Sequence, residues 1–151
     1  MLRLEHAPRL VLGMSSVAQP DEATKCFARA TKRLKVMPDV PFELKDLTAA
    51  LSQLEGHAEG GLSFEYVVPA NPAVLALPDR ILGQDAGARR DLQTAIDQLL
   101  DWQWSGAIDS AKNVLRQTDR EDLRDEALNV LAAGTALTGS LDGGIAALRQ
   151  A

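Results

Sequence analysis

A segment near the end of the chain recurs with a spacing of 33 residues. The sequence GAIDSAKNVLRQ at 106–117 is followed by GSLDGGIAALRQ at 139–150, and Gly, Asp, Leu, Arg and Gln occupy equivalent positions in both. Stacked helical hairpins repeat with a period of about 33 residues, because each hairpin buries its apolar face only against a neighbour. The recurrence therefore predicts paired helices in the C-terminal part, and a plain helical bundle is the alternative.

The composition favours helices over sheet. Apolar residues make up 46% of the 151 residues, charged residues 25% and aromatic residues only 4%. Ala and Leu, which favour helices, dominate, whereas Val and Ile, which favour strands, are sparse. We expect a mainly α protein with at most one short strand, in the alternating segment FEYVVP at 64–69.

The N-terminal part, residues 1–54, is predicted to be a small helical domain. One helix is predicted from Gln19 to Lys35, with Pro20 in its first turn and acidic residues near its positive end. A second is predicted from Phe42 to Leu54, because its leucines follow helical spacing. The predicted buried stripes are Ala23, Phe27, Ala30 and Leu34 in the first helix, and Leu44, Leu47, Ala50, Leu51 and Leu54 in the second.

Residues 55–84 are predicted to be a linker. Its first part is rich in glycine, and Pro69, Pro72 and Pro78 predict an extended connector after the short strand. Residues 85–151 are predicted to form two helical hairpins, with helices at about 85–104, 107–117, 119–138 and 141–151. The turns are expected at Ser105-Gly106 and Gly139. Because the chain stops within the fourth helix, we expect it to be part of a longer protein.

Residues 90–151 resemble the tetratricopeptide repeats. The resemblance rests on Gly106 and Gly139 at the turn between paired helices, Ala111 and Gly144 at the close-packing position, and Leu115 and Leu148 at the bulky one. Leu99 stands where a small residue is usual in that family, and the proline that ends each unit is missing. The resemblance implies a helical-repeat scaffold that binds other polypeptides.

Residues 9–54 resemble the J-domain, the co-chaperone module that stimulates Hsp70-type ATPases. The resemblance rests on Leu12-Gly13, a basic helix containing Phe27, the tripeptide Met37-Pro38-Asp39, and the leucine series of the next helix. The family's tripeptide is His-Pro-Asp, and its histidine is needed for the stimulation. Since Met37 occupies that place, the resemblance implies a degenerate J-domain that does not stimulate the ATPase.

The sequence contains no catalytic, metal-binding or cofactor-binding pattern. Its single cysteine, Cys26, and its two histidines, His6 and His57, have no zinc-ligand spacing. Cys26 is expected to be a buried structural thiol. The carboxylates expected on solvated faces or in a first helical turn are Asp97, Asp101, Glu121, Asp122, Asp125 and Glu126. We therefore predict a protein that is not an enzyme and binds no metal or cofactor.

Two features predict contacts with a partner. Lys25, Arg29, Lys32 and Arg33 lie on one flank of the predicted basic helix, where a merely solvated face is the alternative. Trp102 and Trp104 lie two residues apart at the end of a helix, so both are not expected to face one core. One of the two is expected to pack between the hairpins. The other, if exposed, is a candidate contact for a partner, and packing against the proline-rich connector is the alternative.

The charge is uneven along the chain. Residues 1–54 carry eight basic and six acidic side chains, whereas residues 55–151 carry eight and fifteen. The acidic part disfavours contact with nucleic acid there, because phosphates require clustered Lys or Arg. Nucleic-acid binding through the basic helix at 21–35 is a second alternative.

The N-terminus has no signal-peptide pattern, and no apolar run approaches the roughly 20 residues of a membrane span. We expect a cytoplasmic protein without a membrane-spanning segment. The predicted function is that of a non-catalytic scaffold or adaptor that binds another protein or a second copy of itself. A J-domain-type co-chaperone is the alternative.

Overall fold

A computed structural model of the chain describes residues 8–15, 18–37, 40, 42–54 and 68–138. Within those ranges the chain forms helices joined by turns, and no described residue lies in a strand. The prediction of a mainly α protein is confirmed. The chain divides into two compact units, Met1–Val67 and Val68–Ala151.

The first unit contains three described α-helices that contact one another. They are α1 (Pro8–Leu12), α2 (Ala23–Val36) and α3 (Leu44–Leu54), and a 3₁₀ turn at Pro20–Glu22 leads into α2. Small side chains let these helices pack closely, and α1 supplies larger apolar ones. The buried apolar residues of this unit are Leu10, Val11, Leu12, Met14, Ala23, Cys26, Ala30, Phe42, Leu47 and Ala50.

Specific hydrogen bonds end α1 and begin α3. Gly13 follows α1 with a φ of 70°, which glycine adopts without steric cost, and the amide of Met14 donates back to the carbonyl oxygen of Arg9 over 2.7 Å. The Arg9 guanidinium donates to the carbonyl oxygen of Ser15 over 2.8 Å, which holds the following loop. At the start of α3, the Glu43 amide donates to a carboxylate oxygen of Asp46 over 2.8 Å, as in half of a capping box.

The predicted helices of this unit agree with α2 and α3 to within a few residues. The expected burial of Ala23, Ala30, Leu47 and Ala50 is confirmed. The expected burial of Leu44 is wrong, because its side chain is 53% exposed. Leu44 is the first residue of α3, and the unit buries Phe42, just before the helix, instead.

The second unit begins with short helical segments. After a bend at Val68–Ala70 come a 3₁₀ turn at Pro72–Ala76, α4 (Asp79–Leu82) and a second 3₁₀ turn at Gly83–Asp85. The predicted extended connector is therefore wrong over these residues. The predicted strand lies outside the described residues except for Val68 and Pro69, which belong to the bend.

Three longer helices complete the described part of the second unit. They are α5 (Ala86–Leu100), α6 (Trp104–Gln117) and α7 (Glu121–Leu137), and each contacts the other two. The expected burial of Leu92, Ala95, Ile96 and Leu99 on α5 is confirmed. On α6, Ala111 is buried as expected, while Ile108 and Leu115 are only half-buried. The other buried residues of α6 are Trp104, Ala107 and Val114.

An arginine of α5 holds the start of the second unit. The Arg89 guanidinium donates to the carbonyl oxygen of Leu77 and pairs with the carboxylate of Asp79 at the first residue of α4. The chain of this segment is thus bound to α5 by side-chain contacts that proline spacing does not reveal. The 3₁₀ turn itself is closed by local hydrogen bonds, because the amide of Val74 donates to the carbonyl oxygen of Asn71 over 3.2 Å and the amide of Leu77 donates to that of Val74 over 3.4 Å.

The turn between α5 and α6 lies earlier than predicted. The chain turns at Asp101–Gln103, where the amide of Gln103 donates to the carbonyl oxygen of Gln98 over 2.8 Å. The predicted turn at Ser105-Gly106 is wrong, because α6 already begins at Trp104. Gly106 instead gives room within α6, since a Cβ atom there would lie 2.8 Å from Nε2 of Gln98.

Side chains also organise the link between α6 and α7. The buried hydroxyl of Thr118 donates to a carboxylate oxygen of Asp85 over 2.7 Å. Arg124, in the first turns of α7, donates to the carbonyl oxygens of Leu115 and Thr118 over 2.7 and 3.1 Å. The α6–α7 connection is thereby tied both to α7 and to the segment before α5.

The second copy of the recurring segment, at 139–150, and the predicted fourth helix lie outside the described residues. The helical-repeat interpretation therefore stays a prediction. None of the described helices is both long enough and apolar enough to cross a membrane.

Candidate partner-binding surface

The predicted basic residues lie on α2, and three of them share an exposed flank. Lys25, Arg29 and Lys32 are exposed, whereas Arg33 is half-buried. The spacing of 4 and 3 residues keeps the three exposed side chains within about 60° around the helix axis. We call Lys25, Arg29 and Lys32 the basic row. Arg33 lies at the edge of this surface and is not part of the row.

The basic row exists because α2 has two chemically different faces. Ala23, Cys26 and Ala30 are buried on the inner face, which leaves the long cationic side chains on the outer one. Burial raises the pKa of the Cys26 thiol, and the positive charge of Arg29 partly opposes that shift. The expected burial of this cysteine is confirmed. It contributes to packing in the neutral form.

The cations of the basic row are exposed, and carboxylates lie near one end of the row. Within the described part of the chain, no salt bridge involves Lys25, Arg29 or Lys32. Two exposed carboxylates, Asp21 and Glu22, precede the helix and balance part of the charge at its start. Lys32, nearest the C-terminal end of α2, is the cation of the row farthest in sequence from these carboxylates.

An apolar residue that the sequence analysis did not select ends this flank. Val36, the last residue of α2, is 77% exposed, the largest exposure among the exposed large apolar residues of the described chain. It lies four residues after Lys32, so it continues the spacing of the basic row. The exposure of Val36 was predictable from the sequence, because the three residues that precede it at this helical spacing are cations.

The tripeptide of the J-domain resemblance follows α2 directly. Met37 is half-buried, and its amide donates to the carbonyl oxygen of Arg33 over 3.0 Å. Pro38 and Asp39 lie outside the described residues. The tripeptide thus falls between α2 and α3 in the sequence.

The expectation of an exposed tryptophan is wrong. Trp102 and Trp104 are 1% and 8% exposed, and their rings stack with centroids 6.3 Å apart. Both can be buried because Trp102 has a φ of 65°, which redirects the chain between the two residues. Neither side chain is available as a surface contact, so the basic row is the part of the predicted site that remains.

One of the predicted solvated carboxylates is buried. Glu126, in α7, is 3% exposed and accepts hydrogen bonds from the amides of Ala70 and Asn71 over 3.0 and 2.6 Å. The prediction for this residue is wrong, because the preceding segment folds onto it. Asp97, Asp101, Glu121 and Asp125 are exposed as expected, and the half-buried Asp122 pairs with Arg120.

The carboxylate of Glu126 has a structural role in this arrangement, since both of its oxygens accept backbone amides. Among the described residues, no group of three or more His, Cys, Asp or Glu side chains is placed to hold a metal ion. His6 and His57 lie outside the described ranges.

Comparison of the chain with protein-family models, with curated proteins and with solved structures finds no match.

Proposed function

We propose that the chain is a non-catalytic protein-interaction module whose first unit binds an acidic protein surface through the basic row. The observation that carries this proposal is the exposure of Lys25, Arg29 and Lys32 on one flank of α2. Complementary charge speeds encounter and selects partners, even though each exposed pair adds only about 0.2–1 kcal/mol of affinity. A location in the cytoplasm and a scaffold or adaptor role stay predictions.

A protein partner suits this surface better than a nucleic acid. Nucleic-acid affinity comes mainly from cations that neutralise phosphates, and the exposed carboxylates of Asp21 and Glu22 oppose such contact at one end of the row. At the other end, the exposed Val36 offers apolar area for which a phosphate backbone has no counterpart. The test must therefore distinguish binding of a protein from binding of a nucleic acid through residues 21–35.

The test is the binding of a fluorescein-labelled, Ala-rich helical peptide with glutamates at positions i, i+4 and i+7. We expect its affinity for the full chain to fall as salt rises. Reversal of the row by Lys25→Glu, Arg29→Glu and Lys32→Glu should weaken binding by about tenfold or more. The matched control reverses three exposed cations of the second unit, Arg80, Lys112 and Arg116, and changes the net charge equally.

Two results of this experiment would contradict the proposal. Equal weakening by both triple variants would assign the effect to net charge and not to the row. Tighter binding of a labelled DNA duplex than of the acidic peptide, with the same loss on reversal of the row, would favour the nucleic-acid alternative. Circular dichroism of both variants checks that the helices are retained.

A co-chaperone role is the second candidate. It is supported by the position of Met37-Pro38-Asp39 in the connection between α2 and α3, next to a basic helix. If the N-terminal part is a degenerate J-domain, the full chain should leave the ATPase rate of an Hsp70-type protein unchanged, and Met37→His should raise it. No effect of either chain would remove this candidate.

A further inference from the structure

The flank of α2 that carries the basic row has a fourth member of different chemistry. Lys25, Arg29, Lys32 and Val36 are spaced by 4, 3 and 4 residues, and all four are exposed. They form a continuous stripe about 16 Å long, with three cations followed by one apolar side chain. We call these four residues the docking stripe. Because the cations lie at one end of the stripe and the valine at the other, the two directions in which a helix could bind along it are not equivalent.

We infer that the docking stripe binds an acidic amphipathic helix of another protein, with an apolar side chain of that helix packed on Val36. This inference rests on the proposed function and names the kind of partner. A second helix has the same rise per residue, so acidic side chains spaced by 3 and 4 residues meet the cations one by one. An apolar residue four positions from the nearest acid then lies opposite Val36.

The helix macrodipole also selects a direction for the bound helix. Acidic side chains favour the N-terminal part of a helix, where the macrodipole is positive. In a parallel arrangement the three acids opposite the cations come before the apolar residue opposite Val36, so they lie nearer that end. The same arrangement places the positive end of the bound helix beside Asp21 and Glu22, which are exposed at the start of α2, so the parallel direction is favoured.

The bound helix therefore has a defined order of residues. Three acids come first, at relative positions 0, 4 and 7, and meet Lys25, Arg29 and Lys32 in turn. An apolar residue at relative position 11 follows and contacts Val36, because these positions match the spacing of the stripe. Contact with Val36 contributes apolar burial, a part of the affinity that does not depend on screening by salt. The acids contribute the part of the affinity that falls as salt rises.

The experiment compares three labelled peptides by fluorescence anisotropy with the full chain. Each is Ala-rich and about 18 residues long, so that it is partly helical. The first has the order Glu, Glu, Glu, Leu at the spacing of the stripe; the second has Ser in place of Leu; the third has the reverse order. We expect the first to bind about fivefold more tightly than the second, as partial burial of a valine–leucine contact predicts. The third should bind about threefold more weakly than the first.

Substitution of Val36 shows whether the leucine acts where we place it. In the Val36→Ser variant, the first and second peptides should bind equally, because the partner of the leucine is gone. The matched control is Ile81→Ser, which removes a side chain that is 54% exposed on α4 in the second unit. That variant should retain the fivefold preference for leucine. Since both side chains are exposed, neither substitution removes core packing.

The outcomes separate this inference from the proposed function. If the leucine and serine peptides bind equally to the unsubstituted chain, with the salt dependence intact, the inference is wrong and the proposed function stands. If no acidic peptide binds, both are wrong. Tighter binding of the reverse-order peptide would overturn the direction. Self-association that is abolished by Val36→Ser would assign the stripe to a second copy of the chain and overturn the inference.

Discussion

The buried carboxylate of Glu126 accepts a 2.6 Å hydrogen bond from the amide of Asn71, a residue 55 positions earlier in the chain. The amide of Ala70 donates to the second oxygen over 3.0 Å. One side chain in the second turn of α7 thus binds two successive amides at the beginning of the second unit. This contact attaches the segment before α4 to the longest described helix.

Replacement of Glu126 should destabilise the second unit. Glu126→Gln keeps one acceptor but turns a donating NH₂ group toward the other amide, and we expect a loss of about 1–3 kcal/mol in the free energy of unfolding. The measurement is urea denaturation followed by tryptophan fluorescence, since both tryptophans of the chain lie in this unit. Asp125→Asn, at the exposed neighbouring position, is the control. A loss below about 0.5 kcal/mol for Glu126→Gln would show that the contact is energetically unimportant.

Glycine should be tolerated better than alanine at position 102. Trp102 has a φ of 65°, and its amide donates to the carbonyl oxygen of Leu99 in the motif that ends α5. Both substitutions lose the buried indole, at a cost of about 3–5 kcal/mol. Only glycine adopts this backbone conformation freely, so Trp102→Gly should be more stable than Trp102→Ala by about 1 kcal/mol. The measurement is thermal unfolding followed by circular dichroism.

Trp104 supplies the opposite control, because it is the first residue of α6 and has no positive φ. There alanine should be at least as stable as glycine, as helix propensity predicts. If alanine were at least as stable as glycine at position 102 as well, the positive φ of Trp102 would impose no cost on a residue with a Cβ atom.

Two glycines of the second unit should respond to substitution in opposite directions. A Cβ atom on Gly134 of α7 would lie 2.9 Å from Cγ1 of Ile108 on α6, closer than packed carbon atoms approach. Gly134→Val should therefore cost about 1–3 kcal/mol. A Cβ atom on Gly87 of α5 would meet only Oε1 of Gln117, at 3.4 Å. Gly87→Ala should stabilise by up to about 1 kcal/mol, as judged from denaturant midpoints. A stable Gly134→Val variant would argue against the close approach of α6 and α7.

The stability of the first unit should depend on Cys26 at high pH. Burial raises the pKa of this thiol in the folded chain, so the unfolded chain releases the proton at lower pH. The neutral thiol's contribution is fully present below the unfolded pKa of about 8.5 and is lost as pH rises through the folded pKa. We expect the difference in unfolding free energy between the natural chain and Cys26→Ala to shrink from about pH 8 upward. Circular dichroism during urea denaturation at several pH values measures it. A constant difference up to about pH 10 would contradict the raised pKa.

The sequence alone was sufficient to predict the helical class and the positions of α2, α3, α5, α6 and α7 to within a few residues. Apolar spacing along a helix is a local property, and it correctly selected buried residues such as Leu92 and Leu47. The exposure of Lys25, Arg29 and Lys32 was also predictable, because long charged side chains on the flank opposite an apolar stripe remain in water. The position of Val36 at the end of that flank follows the same rule and was overlooked.

Tertiary structure decided the rest. The turn at Asp101–Gln103 depends on a tryptophan that adopts a conformation usually left to glycine, and the burial of both rings follows from that turn. The acidic residues next to Glu126 in the sequence predict that its side chain faces solvent. It is a buried hydrogen-bond acceptor because the amides of Ala70 and Asn71 pack against it. The segment after Pro69 forms a 3₁₀ turn and α4, and Arg89 of α5 binds it at Leu77 and Asp79. The contacts of Glu126 and Arg89 join residues 10 to 56 positions apart, which local spacing and composition do not encode.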